Sequence, residues 1–154
     1  MKRQRRTVKS ILEINLHDGY FVYGQILEAG VAFYDFRSKD QLTDFKALNN
    51  SSVLFVVEVY RDVISKGRWL KVGKLDIRKE LDPPPNKFIH DDMNPGKFEL
   101  YNPISGKITP AKKKDVEGLE CSAVWEGEHV EERIRDYYSE IENKWVKQQN
   151  EVFM

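Results

Sequence analysis

The sequence has one cysteine, three histidines and no long run of apolar residues, and each scarcity excludes a class of protein. Because Cys121 has no partner within the chain, no internal disulfide can form, which suits a reducing compartment. No segment approaches the roughly 20 apolar residues of a membrane-spanning helix. The basic start is not followed by the apolar core of a secretory signal, because Glu13 and Asn15 interrupt residues 11–16. These absences predict a cytoplasmic protein without a membrane partner.

Catalytic and cofactor-binding motifs are also missing. The sequence contains neither a Gly-x-Ser-x-Gly motif nor a phosphate-binding loop, and the glycines of GQILEAG lack dinucleotide-binding spacing. A triad built on His17, His90 or His129 has no support from the spacing. HDDMN, residues 90–94, carries metal-ligand chemistry but matches no zinc or calcium pattern, so we interpret it as a polar turn. Cys121 is interpreted as a buried structural thiol. The sequence therefore predicts a protein that is not an enzyme and needs no cofactor or metal.

The chain carries no net charge, but its basic and acidic residues are unevenly distributed along the sequence. The chain has 25 basic and 25 acidic residues, with 40% apolar and 32% charged residues, as expected for one folded domain over residues 1–154. Residues 1–9 form a basic arm that contains no acid. Residues 115–142 contain ten acids and two arginines, a net charge of −8. This asymmetry indicates charged partners or pairing between the two ends.

The clearest local pattern is an N-terminal β-meander. Leu12, Ile14 and Leu16 alternate with polar residues, which is the period of a half-buried strand. Asp18-Gly19 favours a tight hairpin turn, and residues 20–27 and 31–36 continue as strands. Strands are also predicted at residues 52–60 and 69–77, with a weak hairpin over residues 97–111. Residues 39–48 fit either a short helix or a loop.

One strong helix is predicted near the C-terminus, over residues 128–147. At 100° per residue, its apolar side chains fall within a sector of about 100°. These are Val130, Ile134, Tyr137, Tyr138, Ile141 and Trp145. The fold prediction is therefore α+β: a curled, mostly antiparallel β-sheet, the start of an SH3-like barrel or half-barrel, with one C-terminal amphipathic helix packed on it.

The same helical stretch contains a row of four acids, Glu128, Glu132, Asp136 and Glu140, which we call the acid stripe. At this spacing like charges repel by about 0.2–0.5 kcal/mol per pair. The helix dipole favours acids in the first turn but does not explain the last two. One interpretation is a solvated helix face. The other is a partner-binding surface for a protein with a basic surface, on which the repulsion would be relieved.

The basic arm offers a second candidate surface. KRQRR, residues 2–6, has the charge to bind phosphates, yet a terminal basic segment is more often a solvated tail. The aromatics of the following strands form no recognisable signature for single-stranded nucleic acid, which disfavours a nucleic-acid partner. The alternative function is a small SH3-like module that binds nucleic acid or a host protein through this arm and the first hairpin.

One further pattern spans roughly residues 4–92. It is formed by RQRRTVKSILEINLHDGYFVYGQILEAGVAFYDF, LFVVEVYRDVISKGRWLKVGKLDI and KFIHDD. Together these segments resemble the immunity protein 26 family of bacterial polymorphic toxin systems. The matching residues are turns and core positions, so the resemblance implies a fold but assigns no binding residue.

The resemblance implies a cytoplasmic protein that protects its cell by binding a cognate toxin domain. Immunity by tight binding needs no catalytic residues, in agreement with the missing motifs. A toxin that attacks nucleic acid typically has a basic site, which the acid stripe would match electrostatically. The two candidate functions therefore differ in which charged end of the chain binds the partner.

Overall fold

The computed structural model describes residues 3–153, and its main element is an open six-stranded sheet. The strand order is β5-β1-β2-β3-β4-β9, and all pairings are antiparallel except the short parallel pair β4–β9. The strands are β1 Ser10–Asn15, β2 Phe21–Ile26, β3 Val31–Ser38, β4 Val53–Val59, β5 Leu70–Lys74 and β9 Val124–Trp125.

The N-terminal meander is confirmed, while the barrel is not. β1, β2 and β3 pair in sequence order around turns at Gly19 and Gly30, which both have positive φ. Positive φ is inexpensive only for glycine, so the two turns are encoded locally. Strands β5 and β9 lie at opposite ends of the sheet and do not pair with each other, so the sheet stays open rather than closing into an SH3-like barrel.

A second, three-stranded antiparallel sheet follows the first. Its strands are β6 Lys87–His90, β7 Phe98–Tyr101 and β8 Ile108–Ala111. The predicted weak hairpin is confirmed as β7–β8. Phe88 and Phe98 form its core with Val116, and Phe153 near the C-terminus stacks on Phe98 at 5.4 Å between ring centroids.

Within residues 3–153, four α-helices lie around these sheets: α1 Arg61–Ser65, α2 Lys113–Val116, α3 Gly127–Tyr138 and α4 Lys144–Asn150. Short 3₁₀ helices occupy Phe45–Asn50, Lys79–Leu81 and Glu151–Phe153. The segment over residues 39–48, left open by the sequence, thus ends in a 3₁₀ helix. None of the helices in residues 3–153 has the length and apolar character needed to cross a bilayer.

The main core lies between the six-stranded sheet and α3. Val130 and Ile134 of α3 are fully buried against strand residues that include Phe33 and Trp69. The opposite face of the sheet is also covered, by a cluster around Tyr23 and Tyr34. Because β4 contributes to clusters on both faces, its nearly unbroken apolar sequence is explained.

The prediction of one continuous helix over residues 128–147 is wrong. Helix α3 ends at Tyr138, Glu140 has a φ of +58°, and α4 begins only at Lys144. Asn143 causes the restart, because its side-chain oxygen accepts hydrogen bonds from the backbone N–H groups of Trp145 and Val146. Such side-chain capping competes with helix continuation.

The burial predicted for the helix was therefore only partly correct. Val130 and Ile134 are buried, and Trp145 is half-buried against the main core. In contrast, Tyr137 is 50% exposed and Ile141 is 61% exposed. Ile141 lies in the turn after α3, so the angular position assigned to it on a continuous helix does not apply.

Candidate partner-binding surface

The structure places the acid stripe along α3 and into the following turn. Glu128, Glu132 and Asp136 lie on α3, whereas Glu140 lies beyond its end. The Glu128 side chain is 73% exposed, and its carboxylate lies 3.9 Å from a guanidinium nitrogen of Arg68. Glu140 is exposed as well. The two ends of the stripe are therefore the parts most open to a partner.

The middle of the stripe is held by the turn and by α4. Glu132 accepts a hydrogen bond from Trp145 Nε1 at 3.3 Å and lies 4.0 Å from Lys144 Nζ. Asp136 accepts a hydrogen bond from Asn143 Nδ2 at 2.9 Å. These contacts offset part of the repulsion that a row of free carboxylates would have. They give the stripe a structural role in docking α4, whether or not a partner also binds it.

A further acid of helix α3, outside the acid stripe, is buried and was not singled out from the sequence. Glu131 is only 2% exposed. Its carboxylate accepts two hydrogen bonds from Arg68, at 2.8 and 2.9 Å, and one from Trp69 Nε1 at 2.9 Å. These hydrogen bonds raise the pKa of Arg68 above its ordinary value. Glu131 thus joins α3 to the sheet.

The local sequence explains how Arg68 and Trp69 reach this position. Helix α1 ends at Ser65, and Gly67 follows with a φ of +77°, the left-handed conformation common after helix ends. The chain then reverses into β5, so the two adjacent side chains point to one carboxylate. Gly67, Arg68 and Trp69, which we call the GRW motif, are therefore a helix stop followed by two donors for Glu131.

A cluster of tyrosines and an arginine forms where β3 and α3 both end. Asp35 accepts a hydrogen bond from the hydroxyl of Tyr137 and another from that of Tyr138, each at 2.9 Å. The Arg37 guanidinium lies 4.3 Å from the ring centroid of Tyr20 and 4.6 Å from that of Tyr138. We call these five residues the tyrosine–arginine patch.

The electrostatics of the patch keep Tyr137 and Tyr138 protonated. Burial, reinforced by the hydrogen bond to Asp35, raises the pKa of Tyr138 far above its ordinary value. The same carboxylate raises the pKa of the exposed Tyr137 through their hydrogen bond. Both hydroxyls therefore remain donors at physiological pH, and both oxygens of Asp35 are occupied.

The basic arm is partly engaged within the molecule. The Gln4 side chain donates to the backbone oxygens of Ile64 and Trp69, at 2.9 and 2.8 Å. Arg6 donates to the backbone oxygen of Gly30 and lies 3.9 Å from Glu58. Lys2 lies outside the described residues. Lys9 lies 3.4 Å from Asp76, and Arg3 and Arg5 are exposed and form no ion pair within residues 3–153.

An open groove of about 1100 Å³ lies between α1 and the start of α3. Its lining carries both signs of charge, including Arg61, Lys66 and Arg68 beside Glu126 and Glu128. Because neither sign dominates, the groove does not by itself define the chemistry of a ligand.

The residues considered for catalysis or metal binding are not brought together. Across residues 3–153, no three His, Cys, Asp or Glu side chains are grouped to hold a metal ion. His90 lies 3.3 Å from Asp92, while Asp91 instead caps its own turn by accepting hydrogen bonds from Met93 and Asn94. Burial raises the pKa of Cys121, which keeps it in the unreactive thiol form.

A buried lysine is another titratable group with unusual surroundings. Lys87 is 6% exposed, and its Nζ donates to the backbone oxygen of Val56 at 2.7 Å. Burial lowers the pKa of Lys87. Because β6 supplies this lysine and β4 supplies the carbonyl, the bond ties the second sheet to the first, which is a structural role.

Comparison with known proteins gives one match. The family model described as immunity protein 26 matches residues 10–99, which is more than half of the chain. No curated protein and no solved structure matches the chain significantly. The matched range contains the meander, the GRW motif and most of the second sheet's first hairpin, but neither α3 nor α4. The chain belongs to the immunity protein 26 family.

Proposed function

We propose that this chain neutralises a cognate toxin domain by forming a direct protein–protein complex in the cytoplasm. The observation that carries the proposal is the family match over residues 10–99. Membership of an immunity protein family suggests that the chain neutralises a toxin, and proteins of this family are generally non-catalytic. Binding rather than catalysis is also consistent with Cys121 as a protonated thiol and with Lys87 as a structural tie.

The acid stripe would form the electrostatic part of the binding surface. Its ends, Glu128 and Glu140, are exposed and would meet a basic surface of the toxin. Its middle residues, Glu132 and Asp136, already bind groups of α4 and its preceding turn, so their acceptor capacity for a partner is smaller. Long-range attraction depends on net charge rather than on free lone pairs, so all four acids would speed association.

The alternative, nucleic-acid or host-protein binding through the basic arm, has weaker support. Gln4, Arg6 and Lys9 are engaged by contacts within the molecule, which leaves Arg3 and Arg5 as the cations of the arm that form no ion pair within residues 3–153. Two arginines supply a small phosphate-binding footprint compared with the six to ten contacts of a typical DNA-binding surface.

Co-expression tests the proposed function. The toxin domain encoded by the neighbouring gene is expected to arrest growth alone, and this chain is expected to restore growth and to co-purify with the toxin. Failure to restore growth, with both proteins folded and soluble, would contradict the proposal. Binding of a fluorescent oligonucleotide that is lost on changing Arg5→Ala would instead support the basic-arm alternative.

A further inference from the structure

The tyrosine–arginine patch presents a cation that is open to a partner. Arg37 is exposed, and within residues 3–153 its guanidinium makes no ion pair and no side-chain hydrogen bond. The carboxylate of Asp35, two residues earlier on the same strand, accepts hydrogen bonds from the hydroxyls of Tyr137 and Tyr138. A second cation, Lys39, lies 5.8 Å from the ring centroid of Tyr20, so two cations stand near the single carboxylate of the patch.

The patch is also held in place before any partner arrives. Arg37 lies against two aromatic rings, which restricts its rotamers and leaves the guanidinium edge open. The ring of Tyr138 is positioned by Asp35 and by an edge-on contact with Tyr137, with 5.1 Å between the ring centroids. Ordering these side chains in advance reduces the entropy that a partner must remove on binding.

Exposed apolar surface continues from the patch at Tyr137. Tyr137 is 50% exposed and Ile141 is 61% exposed, and both line a shallow groove of about 390 Å³ against α4. Tyrosine and arginine are among the residues that most often dominate binding energy at protein interfaces, especially where surrounding contacts exclude water. Ile141, which shares the groove with Tyr137, provides surrounding apolar contact.

We propose that the tyrosine–arginine patch is the contact centre for the toxin domain, with Arg37 binding a toxin carboxylate and Tyr137 and Ile141 covering an apolar toxin side chain beside it. This inference rests on the proposed function. It goes beyond the acid stripe, because it assigns the strength of the complex to a cation and its aromatic support. The stripe then governs how quickly the partners meet, and the patch governs how long they stay together.

The test measures dissociation of the complex with the neighbouring toxin domain by surface plasmon resonance. Arg37→Ala is expected to weaken binding by at least about 30-fold, mainly through faster dissociation. Arg37→Lys keeps the charge but loses the planar, two-pronged geometry, so it is expected to recover only part of the affinity. Arg5→Ala, which removes another exposed arginine far along the sequence, is the matched control and is expected to change the affinity less than about 2-fold.

A second variant separates a loss of binding from a loss of folding. Ile141→Ser removes the most exposed apolar side chain of the groove from an irregular turn and is expected to weaken binding about 10-fold without changing the melting temperature. Wild-type affinity in both Arg37→Ala and Ile141→Ser, with a tight wild-type complex, would overturn the patch while leaving the proposed function intact. Absence of any complex with the wild-type chain would overturn both proposals.

Discussion

The two sides of helix α3 use the same chemical group in opposite ways. On the inner side, the carboxylate of Glu131 is 2% exposed and accepts three hydrogen bonds from Arg68 and Trp69. On the outer side, the Glu128 carboxylate is 73% exposed and lies 3.9 Å from Arg68. An isolated buried charge is costly, so Glu131 must keep its partners, whereas Glu128 is solvated with or without one. The role of a carboxylate on this helix therefore depends on its surroundings and not on its identity.

The largest loss of stability is expected from removing the charged partner of Glu131 on the inner side of α3. Arg68→Ala would leave the Glu131 carboxylate buried with only Trp69 Nε1 as a donor. Loss of one partner of a buried pair costs about 3–5 kcal/mol, and we expect about 3 kcal/mol because Arg68 is itself 39% exposed. Urea denaturation measures this loss. Glu128→Gln is the outer-side control, with an expected change below about 0.5 kcal/mol. Equal losses in the two variants would contradict the distinction between the sides.

Glu13, a second buried carboxylate on the other face of the sheet, can be compared with Glu131 because its partners are neutral. Glu13 accepts hydrogen bonds from the Tyr23 hydroxyl at 3.0 Å and from Gln41 at 2.7 Å. Tyr23→Phe removes the first bond and is expected to lower the free energy of unfolding by about 2 kcal/mol near neutral pH. Gln41→Ala, at an exposed residue, is expected to cost less.

The contribution of Tyr23 should also depend on pH in a defined window. Burial, with the nearby Glu13, raises the pKa of Tyr23 to about 12, against an ordinary value of 10.0. Because the folded state holds the proton more tightly, the stabilisation is complete below about pH 10 and is lost as pH rises towards about 12. The stability gap between wild type and Tyr23→Phe is therefore expected to narrow over this range. A gap that is constant up to pH 12 would contradict the assigned role.

A smaller effect is expected where the outer side meets α4. Asn143 caps α4 through two backbone N–H groups and donates to Asp136. Asn143→Ala is expected to cost about 1 kcal/mol and to speed hydrogen exchange in α4 but not in α3. Ser139→Ala, in the same turn, makes a control because the Ser139 side chain contributes no hydrogen bond to the turn among residues 3–153. Uniform loss of protection across both helices would mean that they form one cooperative unit.

The smallest effect on stability is expected from the exposed end of the stripe. Glu140 lies outside α3, so the i,i+4 repulsion that a continuous helix would impose on it does not arise, and Glu140→Gln should change stability by less than about 0.5 kcal/mol.

Toxin association is the informative measurement for the acid stripe as a whole. Changing all four stripe acids to glutamine is expected to slow association at low salt, with a smaller effect at high salt, because exposed charges are screened within about 8 Å at physiological ionic strength. Wild-type association rates at both salts would mean that the stripe only solvates and docks the helices.

Sequence patterns predicted the local part of this structure well. The alternation over residues 11–16 and the turns at Gly19 and Gly30 correctly indicated the meander, because each depends on neighbouring residues only. The periodicity of residues 128–138 correctly indicated α3 and the burial of Val130 and Ile134. Periodicity failed after Tyr138, where the side chain of Asn143 outcompetes helix continuation.

The candidate site was less accessible to prediction. Glu131 belonged to the same acidic run as its solvated neighbours, and only its partners distinguish it. Arg37 appeared as an ordinary charged residue at the end of a strand, since Tyr138 lies about a hundred positions away. The GRW motif was visible, but its function as a pair of donors required the position of α3.

The sequence by itself determined the class of the molecule: an α+β protein with an N-terminal β-meander, an amphipathic helix beginning near Glu128 and the features of the immunity protein 26 family. Those properties follow from local periodicity, turn chemistry and motif order. The tertiary structure alone decided that the sheet stays open, that Glu131 is paired while Glu128 is solvated, and that Arg37 lies between Tyr20 and Tyr138. Each of these outcomes depends on burial and on contacts between residues far apart in the chain, which no local pattern encodes.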